Sequence, residues 1–178
     1  MSKDNFTPIT TPIGDLRYPK LSEPDTKGEY ADGKYKTEIT FNTINTALVK
    51  KEMEACAARM FPGAKNVKIP MKTAKDGTVS FIFKSKNKPM LVDAKKQKIP
   101  AGVNIGGGST GRVHGSLAKY EKGPNKGITA YLSAVQVIEL QEGGGSISAF
   151  DVEDGFEAPA GTEAFETEGP DDQGALAL

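Results

Sequence analysis

Lys84, Lys86 and Lys88 recur at every second position. On an extended chain rising about 3.4 Å per residue they point the same way, about 7 Å apart. Such a file of ammonium groups can track phosphates, or it can simply be a solvated strand face. Arg112, His114, Ser116 and Tyr120 share one face of a later segment, with Lys119, Lys122 and Lys126 around the turn that follows. Lys34 and Lys36 form a third set. Cations that follow a phosphate backbone and aromatic faces that stack on unpaired bases, at about 1–3 kcal/mol per base, are the two ingredients of single-strand nucleic-acid binding. Arg112 and Tyr120 fit those roles, and Tyr120 fits a core position as well. Lys95, Lys96 and Lys98 cluster in a loop, where solubility alone is an equal reading.

Other chemistries are less well supplied. Gly106, Gly108 and Gly111 have the spacing of a dinucleotide-binding loop, and Gly106 and Gly111 that of a P-loop. Both motifs need a helix to follow, so that its N-terminus holds the phosphate. Here Val113-His-Gly-Ser follows, with Arg112 at the lysine position and Val113 at the magnesium-binding hydroxyl position. The segment reads as a structural turn, or as a glycine lip beside a binding surface. Cys56 and His114 are each the only residue of their type. One of each makes no common zinc site, and Cys56 reads as a buried helical thiol. No cofactor, metal or enzymatic activity is expected.

Charge is distributed unevenly. All 23 Lys and Arg lie at or before Lys126, with 12 of the 23 acids, and the other 11 acids follow without a base. The zero net charge therefore conceals a basic body and an acidic end, a pattern suited to a polyanion ligand. No apolar run approaches the ~18 residues of a membrane span. Residues 1–8 lack the basic start and apolar stretch of a signal peptide, and a lone cysteine suits a reducing, cytoplasmic setting.

These side chains need strands to position them. Residues 7–21 are extended and broken by proline, which suits an edge or interrupted strand. In 34–42, Tyr35, Thr37, Ile39 and Phe41 alternate against Lys34, Lys36, Glu38 and Thr40, predicting a half-buried strand. Residues 45–61 predict a helix: Val49, Met53, Cys56 and Met60 form a stripe, Asn45 or Thr46 caps it, and Pro62-Gly63 ends it. Residues 78–86 predict a strand with Val79, Phe81 and Phe83 on one face, and 101–105 a short one. Residues 111–120 and 127–140 predict a long hairpin. The sum is mainly β, an OB-fold-like antiparallel barrel with one accessory helix.

Residues 1–150 are read as that domain. Residues 151–178 hold nine acids, no base and several glycines and prolines, which predicts a disordered acidic tail. The tail is either a solubiliser or a DNA mimic that competes for the basic surface. Phe156 and Phe165 are apolar anchors that a solubiliser does not need.

Four segments together resemble the single-stranded DNA-binding proteins of tailed bacteriophages: 11–21 (Thr-Pro-Ile-Gly-Asp-Leu-Arg-Tyr-Pro-Lys-Leu), 33–41 (Gly-Lys-Tyr-Lys-Thr-Glu-Ile-Thr-Phe), 128–140 and 150–156 (Phe-Asp-Val-Glu-Asp-Gly-Phe). The resemblance is one of strand pattern and tail. It implies an OB-fold core and cooperative or dimeric binding of single-stranded DNA in replication and recombination, in the host cytoplasm. It also implies a tail that contacts replication proteins. The chain departs from the pattern at its last residues, Gln173-Gly-Ala-Leu-Ala-Leu178, where such tails often finish in acids beside an aromatic.

The expectation is a sequence-independent single-strand binder using Lys34, Lys36, Lys84, Lys86, Lys88, Arg112, Lys119, Tyr120 and Lys122. The alternatives are a phage structural or assembly protein, a nucleotide-binding enzyme using Gly106–Gly111, and a general RNA binder.

Overall fold

The computed structural model describes residues 6–142 and Phe156. Its elements are β1 (Phe6–Thr10), β2 (Gly14–Lys20), β3 (Tyr35–Thr40), α1 (Thr43–Met60), β4 (Met71–Thr73), β5 (Val79–Ser85), β6 (Met90–Val92), β7 (Thr110–Lys122) and β8 (Asn125–Glu139). The acidic stretch 151–178 lies outside the described residues, Phe156 apart.

Alternation builds the sheet. In β3, Thr37 and Ile39 are buried, and in β5 Phe81 and Phe83 are fully buried. Both strands turn these residues inward and their polar neighbours outward. β2, β3, β5, β8 and β7 pair in turn, and β7 pairs back with β2, so the sheet closes into a ring. The ring is uneven. β7 and β8 pair along nearly their whole length, whereas β2 meets β7 at two positions and β5 meets β8 at one, Lys84 opposite Tyr131. The architecture is mainly β with one helix and is consistent with an OB-like fold. β8 runs parallel to β5 and β6, so the closure is not purely antiparallel as expected.

The helix starts two residues before the predicted boundary. Asn42, rather than Asn45 or Thr46, is the cap: its side-chain oxygen accepts the Asn45 N–H at 2.8 Å. Val49, Met53 and Cys56 of the stripe are buried, and Met60 is partly so. Residues 101–105 form no strand; they turn, and only Ile105 makes a bridge, to Glu142. The glycine-rich segment opens a strand instead of a helix. Gly108 (φ 93°) turns the chain, its N–H bonds the Leu16 carbonyl at 2.9 Å, and the buried Ser109 hydroxyl bonds the Gln141 carbonyl. Its polar groups are consumed internally, as the turn reading expects.

The long hairpin changes phase midway. Ile128, Ala130 and Leu132 face inward, then Val135 and Val137 do. The extra residue is Ser133: His114 pairs with Ala134 but Gly115 with Leu132, a β-bulge. Gly115 sits at the bulge because a Cβ there would collide with the Tyr131 carbonyl and press the Phe83 ring. Gly115→Ala is therefore expected to cost about 1–3 kcal/mol in urea unfolding, as overpacking does. Gly102→Ala, where nothing lies within 4 Å of the new methyl, should be close to neutral. Equal midpoints for the two variants would remove the close-approach argument.

Candidate nucleic-acid interface

Register places one row of side chains across the outside of the ring. Directly opposed residues share a face. Pro8 opposes Ser116, Ser116 opposes Tyr131, Tyr131 opposes Lys84, Lys84 opposes Lys36, and Lys36 opposes Lys20. With strands about 4.8 Å apart, Lys84, Lys36 and Lys20 follow Tyr131 at roughly 5, 10 and 15 Å. Tyr131 is 47% exposed and Phe6, at 44%, lies against it, ring centroids 6.5 Å apart and tilted 41°. An open aromatic pair thus stands at one end of a lysine row. That combination can stack a base and hold the phosphates beside it.

The lysines of this row differ in availability. Lys36 is held by the preceding loop, with Nζ 2.7 Å from Asp25 and 3.4 Å from Asp32. The Asp25 bond raises the Lys36 pKa above its ordinary 10.5; partial burial opposes this, and Asp32 adds to the rise. For Asp32, partial burial disfavours the charge, yet the Lys34 N–H bond and the Lys36 ammonium together hold the carboxyl below its ordinary 3.8. Lys84 and Lys20 make no ion pair among the described residues. Lys84 is the better placed of the two, beside Tyr131.

The remaining candidates are scattered. Lys34, at the end of the same loop, offers its backbone N–H to Asp32 at 3.1 Å. Lys86 and Lys88 do not continue the file of Lys84. β5 ends at Ser85, whose hydroxyl accepts the Asn87 N–H at 3.0 Å, and the chain bends there. Lys88 lines a groove with Pro89 and Met90, and another that it shares with Lys20. Arg112 lies four residues from Ser116 on β7, roughly 13 Å along the strand, in a groove with Ile13, Leu48 and Glu52. His114 is on the same outer face, its Nδ1 2.8 Å from the Thr10 hydroxyl. Lys119 sits 4.5 Å over the Phe61 ring, a cation–π contact at the end of α1. Tyr120 is half-buried with its hydroxyl beside Gly127, and Lys122 is exposed next to the hairpin turn. Only Lys36 and Lys84 of the nine come together in one row.

Sequence reasoning missed Tyr131, Phe6 and Lys20. The signal for Tyr131 was present: it occupies the polar phase of its strand, between Thr129 and Ser133, where an aromatic has no core to fill. Another exposed aromatic, Tyr18, lies at the β2 bulge with φ 47° and 67% exposure, the Arg17 guanidinium 5.6 Å from its ring centroid. That backbone region is uncommon outside glycine, and here it holds the ring out of the sheet.

No family model and no curated protein matches the chain. Solved structures do. It is similar to gp2.5, a single-stranded DNA-binding protein encoded by bacteriophage T7, at 23% identity and TM-score 0.62, covering 86% of this chain and 100% of that one. It is similar also to the single-stranded DNA-binding protein from bacteriophage Enc34. A C-terminal truncation of that protein gives 15% identity and TM-score 0.62, covering 80% of this chain and 94% of that one. Its complex with ssDNA gives 16% and 0.61, covering 79% and 89%. At these identities the likeness is one of fold.

The loop clamp on Lys36 has a defined pH window. Asp32 is lowered in the fold, so its contribution is present above pH 3.8 and is lost as pH falls through its folded value. Lys36 is raised, so its contribution is present below pH 10.5 and is lost as pH rises past its folded value. The stability difference between the parent and Lys36→Met in urea should be at most about 1 kcal/mol near neutrality, shrinking below pH 3.8. A difference that stays constant down to pH 2 would show that the clamp contributes nothing.

Proposed function

We propose that this chain binds single-stranded DNA without sequence preference, as a non-enzymatic protein of phage DNA replication or recombination acting in the host cytoplasm. The observation that carries this is the Phe6–Tyr131 pair abutting Lys84 on the outside of an OB-like ring. The fold's known nucleic-acid surface is the face of its second and third strands with the loops flanking them. In ring order those strands are β3 and β5, which carry Lys36 and Lys84. The similar folds belong to phage proteins of this function, and one of them was solved with ssDNA.

Tyr131 and Phe6 stack bases in this reading, while Lys84 and Lys20 neutralise phosphates. Lys34, Lys86, Arg112, Lys119, Tyr120 and Lys122 extend the positive field. Lys36 contributes after exchanging a carboxylate for a phosphate, and Lys88, which lines a groove with Lys20, extends the positive field at that end of the row. The acidic residues 151–178 compete with DNA by charge and engage replication proteins, and the protein acts as a homodimer. Stacking and phosphate neutralisation discriminate sugars poorly, so RNA is a second ligand.

Tyr131→Ala should weaken oligo-dT binding by the worth of one stacked base, about 1–3 kcal/mol or roughly 5- to 150-fold, while Tyr131→Phe should retain it. Fluorescence anisotropy reads both, and an unchanged Tyr131→Ala affinity would remove the carrying observation. Binding should fall with salt at a slope of about −0.7 per neutralised phosphate. Removal of residues 151–178 should tighten binding, most at low salt. If affinity is the same with and without those residues across the salt series, the competitor role is lost and the body's role stands.

A further inference from the structure

The surface near the end of β8 has a different character. A groove of about 430 Å³ runs between the 93–103 loop and β8. Its floor is aliphatic: Ile99, Pro100, Val103, Ile138 and Leu140, the last 41% exposed. Lys95 and Lys98 stand in its lining, and Lys96 is next to them, exposed. The acid in the lining, Asp93, is turned into its own loop, where its carboxylate accepts the Lys95 and Gln97 N–H groups at 2.9 Å each. A second groove, which includes Lys88 and the 66%-exposed Met90, meets the first across Ile99 and Pro100.

This loop is preformed. Asp93 N–H bonds the Gln97 carbonyl at 2.9 Å, Ile99 N–H bonds the Leu91 carbonyl at 2.9 Å, and Gln136 Nε2 bonds the Ala94 carbonyl at 3.1 Å. A guest therefore spends little binding energy on ordering the groove. The lining holds no aromatic ring, so it offers unpaired bases nothing to stack on. Ile138 is seven residues beyond Tyr131 on β8, roughly 20 Å along the strand. An aliphatic floor wants an apolar anchor, and the surrounding ammonium groups want carboxylates.

We propose that this groove docks an acidic peptide segment of a partner protein, whose phenylalanine- or leucine-type side chain enters between Ile99, Val103 and Leu140 while its carboxylates meet Lys95 and Lys98. The inference stands apart from the nucleic-acid reading, because it uses different residues and a different ligand.

The test is fluorescence polarisation of the full chain, at fixed salt, with three labelled probes. These are a short peptide of aspartates and glutamates around one phenylalanine, the same peptide with serine for phenylalanine, and oligo-dT. The phenylalanine peptide should bind, and the serine peptide about tenfold more weakly, as loss of one buried apolar side chain requires. Leu140→Ser and Lys98→Glu should each weaken the phenylalanine peptide about tenfold and leave oligo-dT unchanged. Both positions are exposed, so the variants should keep the parent's unfolding midpoint. Failure of the phenylalanine peptide to bind would overturn the proposal, and so would equal binding of the two peptides, which marks charge alone. Loss of oligo-dT binding in Lys98→Glu would also overturn it, by making the groove part of the nucleic-acid surface.

Discussion

The approach of β7 to β8 at Gly115 is the constraint on which the rest of the structure depends. The absent Cβ leaves space for the Tyr131 carbonyl on one side and the Phe83 ring on the other. With that space filled by glycine, Phe83 closes the core between β5 and the hairpin. The neighbouring bulge at Ser133 then resets the inward phase, so Leu132 and Val135 both face the core although they are an odd number of positions apart. Tyr131 is left outside, opposite Lys84. Core packing and the backbone position of the aromatic end of the outer row thus meet at one contact.

Electrostatics across the outer face is a matter of competition. Lys36 already has two carboxylates from the loop that precedes it, and Lys84 has none among the described residues. A phosphate at Lys84 displaces no ion-paired carboxylate among the described residues, although Asp32 feels the Lys84 charge, whereas at Lys36 it must replace Asp25 and Asp32. The acidic end of the chain carries only charge of the sign that a nucleic acid carries, so a tail competing for the basic surface would pose the same contest at larger scale. Affinity in such a system is a difference between rival anions, and salt weakens all of them together.

Much of this was legible in the sequence. The alternation in 34–42 and 78–86 and the stripe of 45–61 gave two ring strands and the helix, since each pattern reports burial directly. What failed was whatever depended on partners. Asn42 caps the helix in an extended backbone conformation two residues after β3 ends, which spacing alone does not disclose. Met71–Thr73 and Met90–Val92 are strands only because β5 and β8 lie beside them. Lys86 and Lys88 lost their register with Lys84 to a bend fixed by Ser85. In the site, lysines are conspicuous in a sequence but carry no sign of which carboxylates they meet. Tyr131 was hidden by the habit of assigning aromatics to the core, although its polar neighbours marked it as exposed.

The unevenness of the ring has a mechanical consequence. At its β5–β8 seam the two strands meet directly at one residue pair, Lys84 and Tyr131, and beyond it the 68–73 segment bridges them, Lys68 bonding β8 and Met71–Thr73 pairing with β5. A seam with so few backbone bonds is where local opening costs least. A strand of DNA gripped by the ring of Tyr131 and the ammonium of Lys84 would lie astride that seam. It would act as a clasp, because binding only the closed ring adds its free energy to keeping the ring shut. Grip and closure would then be one event.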